Sequence, residues 1–365
     1  MSSSSSRRVP RVLHVTETFS SGVATAVHSF VENSPQAEHH LLASVRDGAG
    51  VKMSEQHGFV EMIDLPRGMR AACGAILREV RRLRPDFVHV HCAYAGVYVR
   101  LLPIARRRII YSPHCFPFER ESDSLFSRAA YVAVEALLAL RTGAFGAVSR
   151  AEARLCERFP GRSRVVTIPN VSHLVHRPRL PSQVPGLKPV VSFNGRLSPQ
   201  KDPMFLVRAL ERAPTLAQRI EFVWIGSGEP EYVRALESVG VRVTGWLSLD
   251  QVQDELRRSD VYAHVARWEG FPMSVLEAAA LDVPVIARSI RAFEGYGFPR
   301  SAFFGSPEAF IDCMEALLAD RRSVVEAGQA FSAQVREQFD ARAQADALRS
   351  LYGAEEVQRP AILAT

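Results

Sequence analysis

The chain has 365 residues, 47% of them hydrophobic and 23% charged, a composition that builds packed cores and excludes an intrinsically disordered protein. Lys and Arg number 45 against 39 Asp and Glu, net +6, but residues 1–185 hold 25 basic and 15 acidic side chains, net +10, while residues 186–365 hold 20 and 24, net −4. The length predicts two domains, and the uneven charge predicts different partners for them.

Residues 12–15 read as a short buried strand, 16–22 as a polar loop, and 23–31 as a helix with Ala24, Val27 and Phe30 or Val31 at helical spacing. A helix over 75–83, a strand over 86–90, a helix over 97–107 and a strand over 109–111 follow. Strands alternating with helices predict a parallel sheet covered on both faces. The stretch RPRLPSQVPGLKP at 177–189 holds four prolines and a glycine, the composition of a linker. The expected domains are therefore 1–183 and 184–340, with a C-terminal helix and tail, 341–365, open to packing back on the first. Beyond the linker the pattern restarts. Strands are expected over 190–193, 221–225, 241–244, 261–265 and 283–287, and helices over 204–211, 231–238, 249–257, 274–280, 307–318 and 323–352. The fold class is α/β: two doubly wound Rossmann-like domains whose strand carboxyl ends face a common cleft, where ligands bind in such sheets.

Five cysteines, Cys73, Cys92, Cys115, Cys156 and Cys313, are odd in number and form no CxxC, so neither a disulfide framework nor a zinc ribbon is indicated. A reducing cytoplasm is the expected location. The serine-rich start has no apolar run of signal-peptide length, and the most apolar window, 131–148, is interrupted by Glu135, Arg141 and Thr142 and is too short for a membrane span.

The strongest chemical signal is Glu269-Gly-Phe-Pro-Met-Ser-Val-Leu-Glu277, two glutamates that follow a strand and run into a helix. Ser274 and Glu277 have the spacing of a capping box, which alone would account for Glu277; Glu269 lies ahead of the cap and is not explained by it. Free amides and the positive dipole end at that helix start suit an anion such as a diphosphate, with the carboxylates placed to hold hydroxyls of a sugar and a ribose. A second signal, Asn194-Gly195-Arg196-Leu-Ser-Pro-Gln-Lys201, follows the first strand of the second half. It supplies a guanidinium fork and a mobile ammonium suited to a pyrophosphate, the alternative being a solvated surface pair. With only three lysines in the chain, one at 201 favours a specific role.

These two motifs, in this order and separation, resemble the donor-binding half of the retaining GT-B glycosyltransferases of family 4, and the likeness extends over most of the chain. Phe222-Val-Trp-Ile-Gly226-Ser-Gly228 resembles the family's glycine-turn strand, and Val243-Thr-Gly245-Trp246 the loop beside the nucleotide base. In the first half Ser20-Ser-Gly22 resembles the glycine loop under the diphosphate, while Val88-His-Val-His91 and Tyr111-Ser-Pro-His114 resemble segments lining the cleft, and Ile168-Pro-Asn170 the stretch before the linker. The surroundings of His91 and His114 look like those of bacterial exopolysaccharide or capsule transferases. The resemblance implies a GT-B fold and transfer of a sugar, with retention, from a nucleotide-diphosphate donor to a hydroxyl of a glycan or lipid-linked acceptor. Carried over by residue, it implies Arg196 and Lys201 on the leaving diphosphate, Glu269 on the donor sugar, His114 reaching that sugar from the opposite domain, and Glu277 on the ribose. Gly22, Gly195, Gly226, Gly245 and Trp246, with the backbone of Phe271, Pro272, Met273 and Ser274, would surround the nucleotide. No DxD occurs, so neither a metal nor any cofactor besides the donor is expected. Ser21 stands where many members have a second glycine, Tyr94 where related enzymes have lysine, and the run after Ala287 lacks the usual paired glycines.

Two arginine clusters, Arg78, Arg81, Arg82 and Arg84, then Arg106, Arg107 and Arg108, suit an anionic lipid surface and a peripheral position at the inner face of a membrane; an arginine-rich composition is the plain alternative. No nucleic-acid module is recognisable, so nucleic acid is not an expected partner. A dinucleotide fingerprint is incomplete after the first strand, which disfavours a dehydrogenase. A sugar-nucleotide epimerase of the same architecture would need no acceptor. A non-catalytic scaffold would be expected to have lost Glu269, Arg196 or Lys201, and all three are present.

Overall fold

The computed structural model describes residues 9–19, 21–44, 58–174 and 188–353. The first domain is a parallel sheet of β1 (Arg11–Thr16), β2 (Glu38–Ala43), β3 (Glu61–Asp64), β4 (Phe87–His91), β5 (Ile109–Ser112), β6 (Ala144–Ala147) and β7 (Arg164–Thr167), in the order β3-β2-β1-β4-β5-β6-β7. Helices α1 (Ser21–Glu32), α2 (Met69–Leu83), α3 (Ala93–Leu101), α4 (Leu125–Ala139) and α5 (Arg150–Glu157) connect its strands. The second domain repeats the plan with β8 (Val190–Asn194), β9 (Glu221–Ile225), β10 (Arg242–Val243), β11 (Val261–His264), β12 (Val285–Arg288) and β13 (Phe303–Phe304), ordered β10-β9-β8-β11-β12-β13. Its helices are α6 (Pro203–Arg212), α7 (Leu216–Arg219), α8 (Pro230–Ser238), α9 (Leu249–Arg258), α10 (Met273–Ala280), α11 (Pro307–Ala319) and α12 (Arg321–Gln338). Central strands of both sheets are buried on both faces, which is why they read as continuous apolar runs such as Phe222 to Ile225.

In each sheet the strand order reverses beside the first strand, between β1 and β4 and between β8 and β11. A doubly wound sheet leaves a crevice there at the strand carboxyl ends. Helix α1 leaves one such point and α10 the other, so both helices start at the cleft.

Helix α13 (Ala341–Tyr352) crosses back to the first domain. Gln344 accepts from Asn33 at 2.8 Å and donates to the Pro169 carbonyl at 2.7 Å, while Leu348, Leu351 and Tyr352 join Val12, Phe30, Ile110 and Ile168 in one buried cluster. Leu348→Ala is expected to cost about 3 kcal/mol of stability, read as a lower urea midpoint, because Leu348 is fully buried in this cluster and its truncation leaves a cavity there.

Three expectations differ from the structure. The sequence reading assigns no element to β2, β3, α4, β6, α5 or β7; at β2 His39 and His40 look polar, yet the His39 ring is satisfied by His14 and Ser34 and so goes into the core. The expected helix 97–107 instead runs Ala93–Leu101, stopped by Pro103. The expected helix 323–352 is two: the chain leaves helical geometry at Phe339, and Asp340 caps α13 by accepting from the Ala343 amide at 2.6 Å. The serine leader, Ser20 and the linker 177–189 apart from Lys188 and Pro189 lie outside the described residues.

Candidate active site

The second-domain wall is built from the turns that end β8, β9 and β11. Gly226 has φ +128°, and a Cβ there would lie 2.5 Å from the Gly195 carbonyl oxygen, so the turns after β8 and β9 touch backbone to backbone. Trp224 Nε1 donates to that same carbonyl at 2.9 Å. This contact fixes the loop that carries Arg196 and Lys201. Lys201 Nζ meets Glu269 Oε1 at 2.6 Å, and Gln200 Nε2 donates to Glu269 Oε2 at 3.0 Å. The Lys201 and Glu269 side chains keep 20% and 11% of their exposure, so the pair borders the cleft from a largely desolvated position. Arg196 is exposed and has no ion-pair partner among the described residues. Beside it, the Gly226 amide donates to Thr244 Oγ1 at 3.1 Å, and Gly245 leads to Trp246, which stays 65% exposed.

Helix α10 corrects the capping expectation. It begins after Pro272 with no side-chain cap, so Ser274 is its second residue rather than its cap. Glu277 does not reach back to the helix start. Its Oε2 accepts from Asn194 Nδ2 at 3.0 Å across the domain, and burial raises its pKa against the opposing pull of Lys201, His173 and Asn194. The amides of Met273 and Ser274 make no hydrogen bond among the described residues, leaving a helix start with free donors. The Phe271 ring is turned inward and stacks on Phe339 with centroids 3.9 Å apart, so only its backbone is at hand for a ligand.

The first-domain wall meets these groups closely. A Cβ on Gly22, near the start of α1, would lie 3.5 Å from Met273 Cγ, so the amino termini of α1 and α10 converge. Gly270 rests on the backbone of His114 and Cys115; a Cβ there would lie 3.1 Å from His114 C and 3.0 Å from the Cys115 nitrogen. Those two residues have φ +53° and +92°, a strained pair that needs outside support. Glu152 supplies it, accepting from the Cys115 amide at 2.7 Å and the Val148 amide at 2.8 Å, with its pKa raised to about 7 by burial despite those amides. His114 Nε2 meets His91 Nδ1 at 3.0 Å, and burial lowers the His114 pKa to about 4.

His14, His89 and His91 bring ring nitrogens within 4.8 Å of one another, a spacing compatible with a metal. Every one of those nitrogens is already hydrogen-bonded: to each other, to His39 and His114, or, for His89, to Tyr352 and Ser112. The trio is accounted for as a hydrogen-bonded core.

The structure thus brings Lys201, Glu269, Glu277, Gly22, His114 and the start of α10 around one cleft. Gln200, Asn194 and Glu152 were missed by sequence reasoning. Two of them lie inside the quoted 194–201 motif as neutral amides among charges, and Glu152 was visible only as the end of a Ser149-x-x-Glu152 capping pattern. Of the arginine clusters, Arg82 is paired with Glu79 and Glu61, and Arg106 and Arg108 hold the carbonyls of Gly161 and Pro85.

Residues 8–171 match the model of the glycosyl transferase 4-like domain, and residues 188–320 match that of glycosyl transferases group 1, together about four-fifths of the chain. An uncharacterized 41.2 kDa protein in the cps region of Klebsiella pneumoniae is 24% identical over 76% of this chain and 81% of its own length. The Escherichia coli UDP-Gal:alpha-D-GlcNAc-diphosphoundecaprenol alpha-1,3-galactosyltransferase is 25% identical over 59% of this chain and 61% of its own. The solved structure of Anabaena Alr3699/HepE with UDP-glucose superposes with a TM-score of 0.74 at 17% identity, over 94% of this chain and 100% of that one. With matches to both halves of the enzyme and two parallel doubly wound domains meeting at a shared cleft, the chain belongs to the glycosyltransferases of GT-B fold.

Proposed function

We propose that this glycosyltransferase moves a hexosyl or N-acetylhexosaminyl unit from a UDP-sugar to a hydroxyl of a glycan or lipid-linked acceptor, with retention and without a metal, in polysaccharide or glycolipid synthesis. The observation that carries the reading is the Lys201–Glu269 pair set beside the converging starts of α1 and α10. Charge develops on the departing diphosphate, and preorganised cations with free helix amides stabilise it in a site shielded from water. Lys201 and Arg196 supply the positive charge, and the Met273 and Ser274 amides supply donors. Gly22 lets the backbone of α1 come close. Glu269 holds a donor-sugar hydroxyl, and Glu277 with Asn194 takes the ribose. Trp246 beside Gly245 and Gly226 offers a flat face to the base. Uracil is favoured by the UDP-sugar named for the Escherichia coli relative and the UDP-glucose bound to the Anabaena protein.

An acceptor has room across the cleft. A cavity of about 300 Å³ opens at the carboxyl ends of the first-domain strands, lined by Glu17, Ser44, Arg67 and Tyr98 among others. The test is incubation with UDP-, GDP-, ADP- and dTDP-sugars, with and without a polyprenyl-diphosphate-sugar acceptor, and NMR of any product. Acceptor-dependent product with the donor's anomeric configuration is expected. Inversion, or conversion of the sugar nucleotide without acceptor, would overturn the reading.

Membrane contact rests better on α4 than on the arginine clusters. Among the described residues no helix is long and apolar enough to cross a membrane. The outer face of α4 nevertheless leaves Leu125 79%, Phe126 86% and Leu137 68% exposed, and Arg107 and Arg162 are exposed near its end, where Arg106 holds Gly161. Apolar side chains that insert beside cations that attract are the two components of peripheral binding to anionic lipid. Phe126→Asp with Leu137→Asp is expected to abolish co-sedimentation with phosphatidylglycerol vesicles, while the unfolding midpoint stays within about 2 °C, as for exposed sites. Unchanged sedimentation would remove the membrane from the proposal.

A further inference from the structure

The rings of His39, His14, His91 and His114 form an unbroken line from the core of the first domain to the cleft. His39 Nδ1 lies 3.0 Å from His14 Nε2, His14 Nδ1 3.0 Å from His91 Nε2, and His91 Nδ1 3.0 Å from His114 Nε2. The buried end sets the direction. His39 Nε2 sits 2.9 Å from the Ser34 carbonyl oxygen, which has no proton to give, and 3.0 Å from Ser34 Oγ, whose proton goes to the Phe30 carbonyl. His39 Nε2 therefore carries the hydrogen.

A neutral imidazole has one donor and one acceptor, so the direction propagates. His39 Nδ1 accepts from His14 Nε2–H, His14 Nδ1 from His91 Nε2–H, and His91 Nδ1 from His114 Nε2–H. Burial keeps the line neutral at pH 7: His14 and His91 are held well below the usual histidine range, and His39 and His114 at about 4. His114 is the half-buried end, its backbone against Gly270, which follows Glu269, and its Nδ1 makes no hydrogen bond among the described residues.

We propose that this line fixes His114 as the Nε2–H tautomer, so that the cleft presents a hydrogen-bond acceptor and the donor sugar must offer it a hydroxyl proton. His91, His14 and His39 are positioning residues, and His114 alone touches substrate. A deoxy carbon, an alkylated oxygen or a carboxylate at that point of the sugar has no proton to give, so the selected class is a neutral sugar with a free hydroxyl there. The ligand in this inference rests on the nucleotide-sugar reading of the cleft; the tautomer does not.

The test uses the full chain with ring-15N histidine and long-range proton–nitrogen correlation at pH 7.5, the His114 signals being those lost in His114→Gln. An unprotonated Nδ1 and a protonated Nε2 are expected; the opposite tautomer, or a fast-exchanging mixture, overturns the proposal without reference to substrate. In turnover assays His91→Leu, which removes the acceptor for His114 Nε2–H, should lower kcat/KM by about tenfold or more. His91→Asn, whose Oδ1 stands near the lost Nδ1, should restore it to within about threefold of wild type. If both variants lose activity in step with their unfolding midpoints, the positioning role falls. Across mono-deoxy donors, one position should cost the wild type about tenfold or more and cost His114→Ala nothing further. Absence of such a position overturns the sugar contact. A chain that keeps the tautomer but turns over no sugar nucleotide overturns the sugar contact together with the proposed function.

Discussion

Lys201→Ala is expected to lower kcat/KM by about 10²–10³, the scale of removing one preorganised charge-stabilising group from a shielded site. Two effects combine. The diphosphate loses a cation that needs no reorganisation as charge develops, and Glu269, only 11% exposed, keeps Gln200 as its one remaining hydrogen-bond partner among the described residues. Removing one partner of a largely buried ion pair leaves an uncompensated charge, so donor binding should weaken as well as turnover. Arginine should not rescue the loss. The Lys201 stem runs under Gly195, where a Cβ would lie 2.9 Å from Lys201 Cε, and a planar guanidinium has no equivalent path. Glu269→Gln separates the roles: it retains an acceptor for Lys201 but removes the charge, and should lower kcat with a smaller change in donor KM. Steady-state kinetics on the three variants measures all of this. Wild-type kcat/KM in Lys201→Ala would refute the assignment.

Acid should unfold the protein at an unusually mild pH. His14, His89 and His91 are buried with pKa values held well below 6.5, and His39 and His114 are lowered to about 4. The unfolded chain binds protons at these sites below pH 6.5 while the native chain does not, so stability is intact above 6.5 and falls as pH drops toward 4. The loss is about 1.4 kcal/mol per imidazole per pH unit, or about 7 kcal/mol for five at pH 5.5. Glu152 acts in the opposite sense: its raised pKa of about 7 means the native state holds a proton that the unfolded state releases above 4.5, so it returns about 2 kcal/mol over the same interval. Glu119 and Glu277, also raised by burial, oppose the loss in the same way. A net loss of several kcal/mol remains, a large share of the stability of an ordinary domain. Urea titrations at pH 7.5, 6.5 and 5.5 should show the midpoint falling steeply at the last step. A flat profile would mean that the histidines are not buried neutral.

The parts legible in the sequence are those where one kind of signal acts alone. Strands β8, β9 and β11 are short apolar runs between turns, and α10 follows a loop whose single glutamate, Glu269, capping does not explain. Where a polar residue is buried by pairing, periodicity misleads. His39 hides β2 because its partners, His14 and Ser34, are distant or unremarked in the sequence. Glu277 fits a capping box by spacing, yet the proline ahead of it starts the helix and frees the carboxylate for Asn194. Arginine clusters look like a charged surface, but Arg82, Arg106 and Arg108 are consumed by nearby partners, while the exposed face of α4 straddles the edge of the apolar window 131–148, with Leu137 inside it and Leu125 and Phe126 ahead of it. The supports of the site were the least visible. Glu152 and Gln200 act through the residues they hold, and neither carries a pattern of its own.

Calorimetric titration of UDP, GDP, ADP and dTDP into wild type and Lys201→Ala, in EDTA, addresses the cleft most directly. One nucleoside diphosphate, UDP, should bind the wild type despite the chelator and bind Lys201→Ala at least about tenfold more weakly, a loss typical of a charge-assisted contact. No binding of any nucleotide at millimolar concentration, or equal binding to both proteins, would contradict a nucleotide-sugar site centred on Lys201 and Glu269.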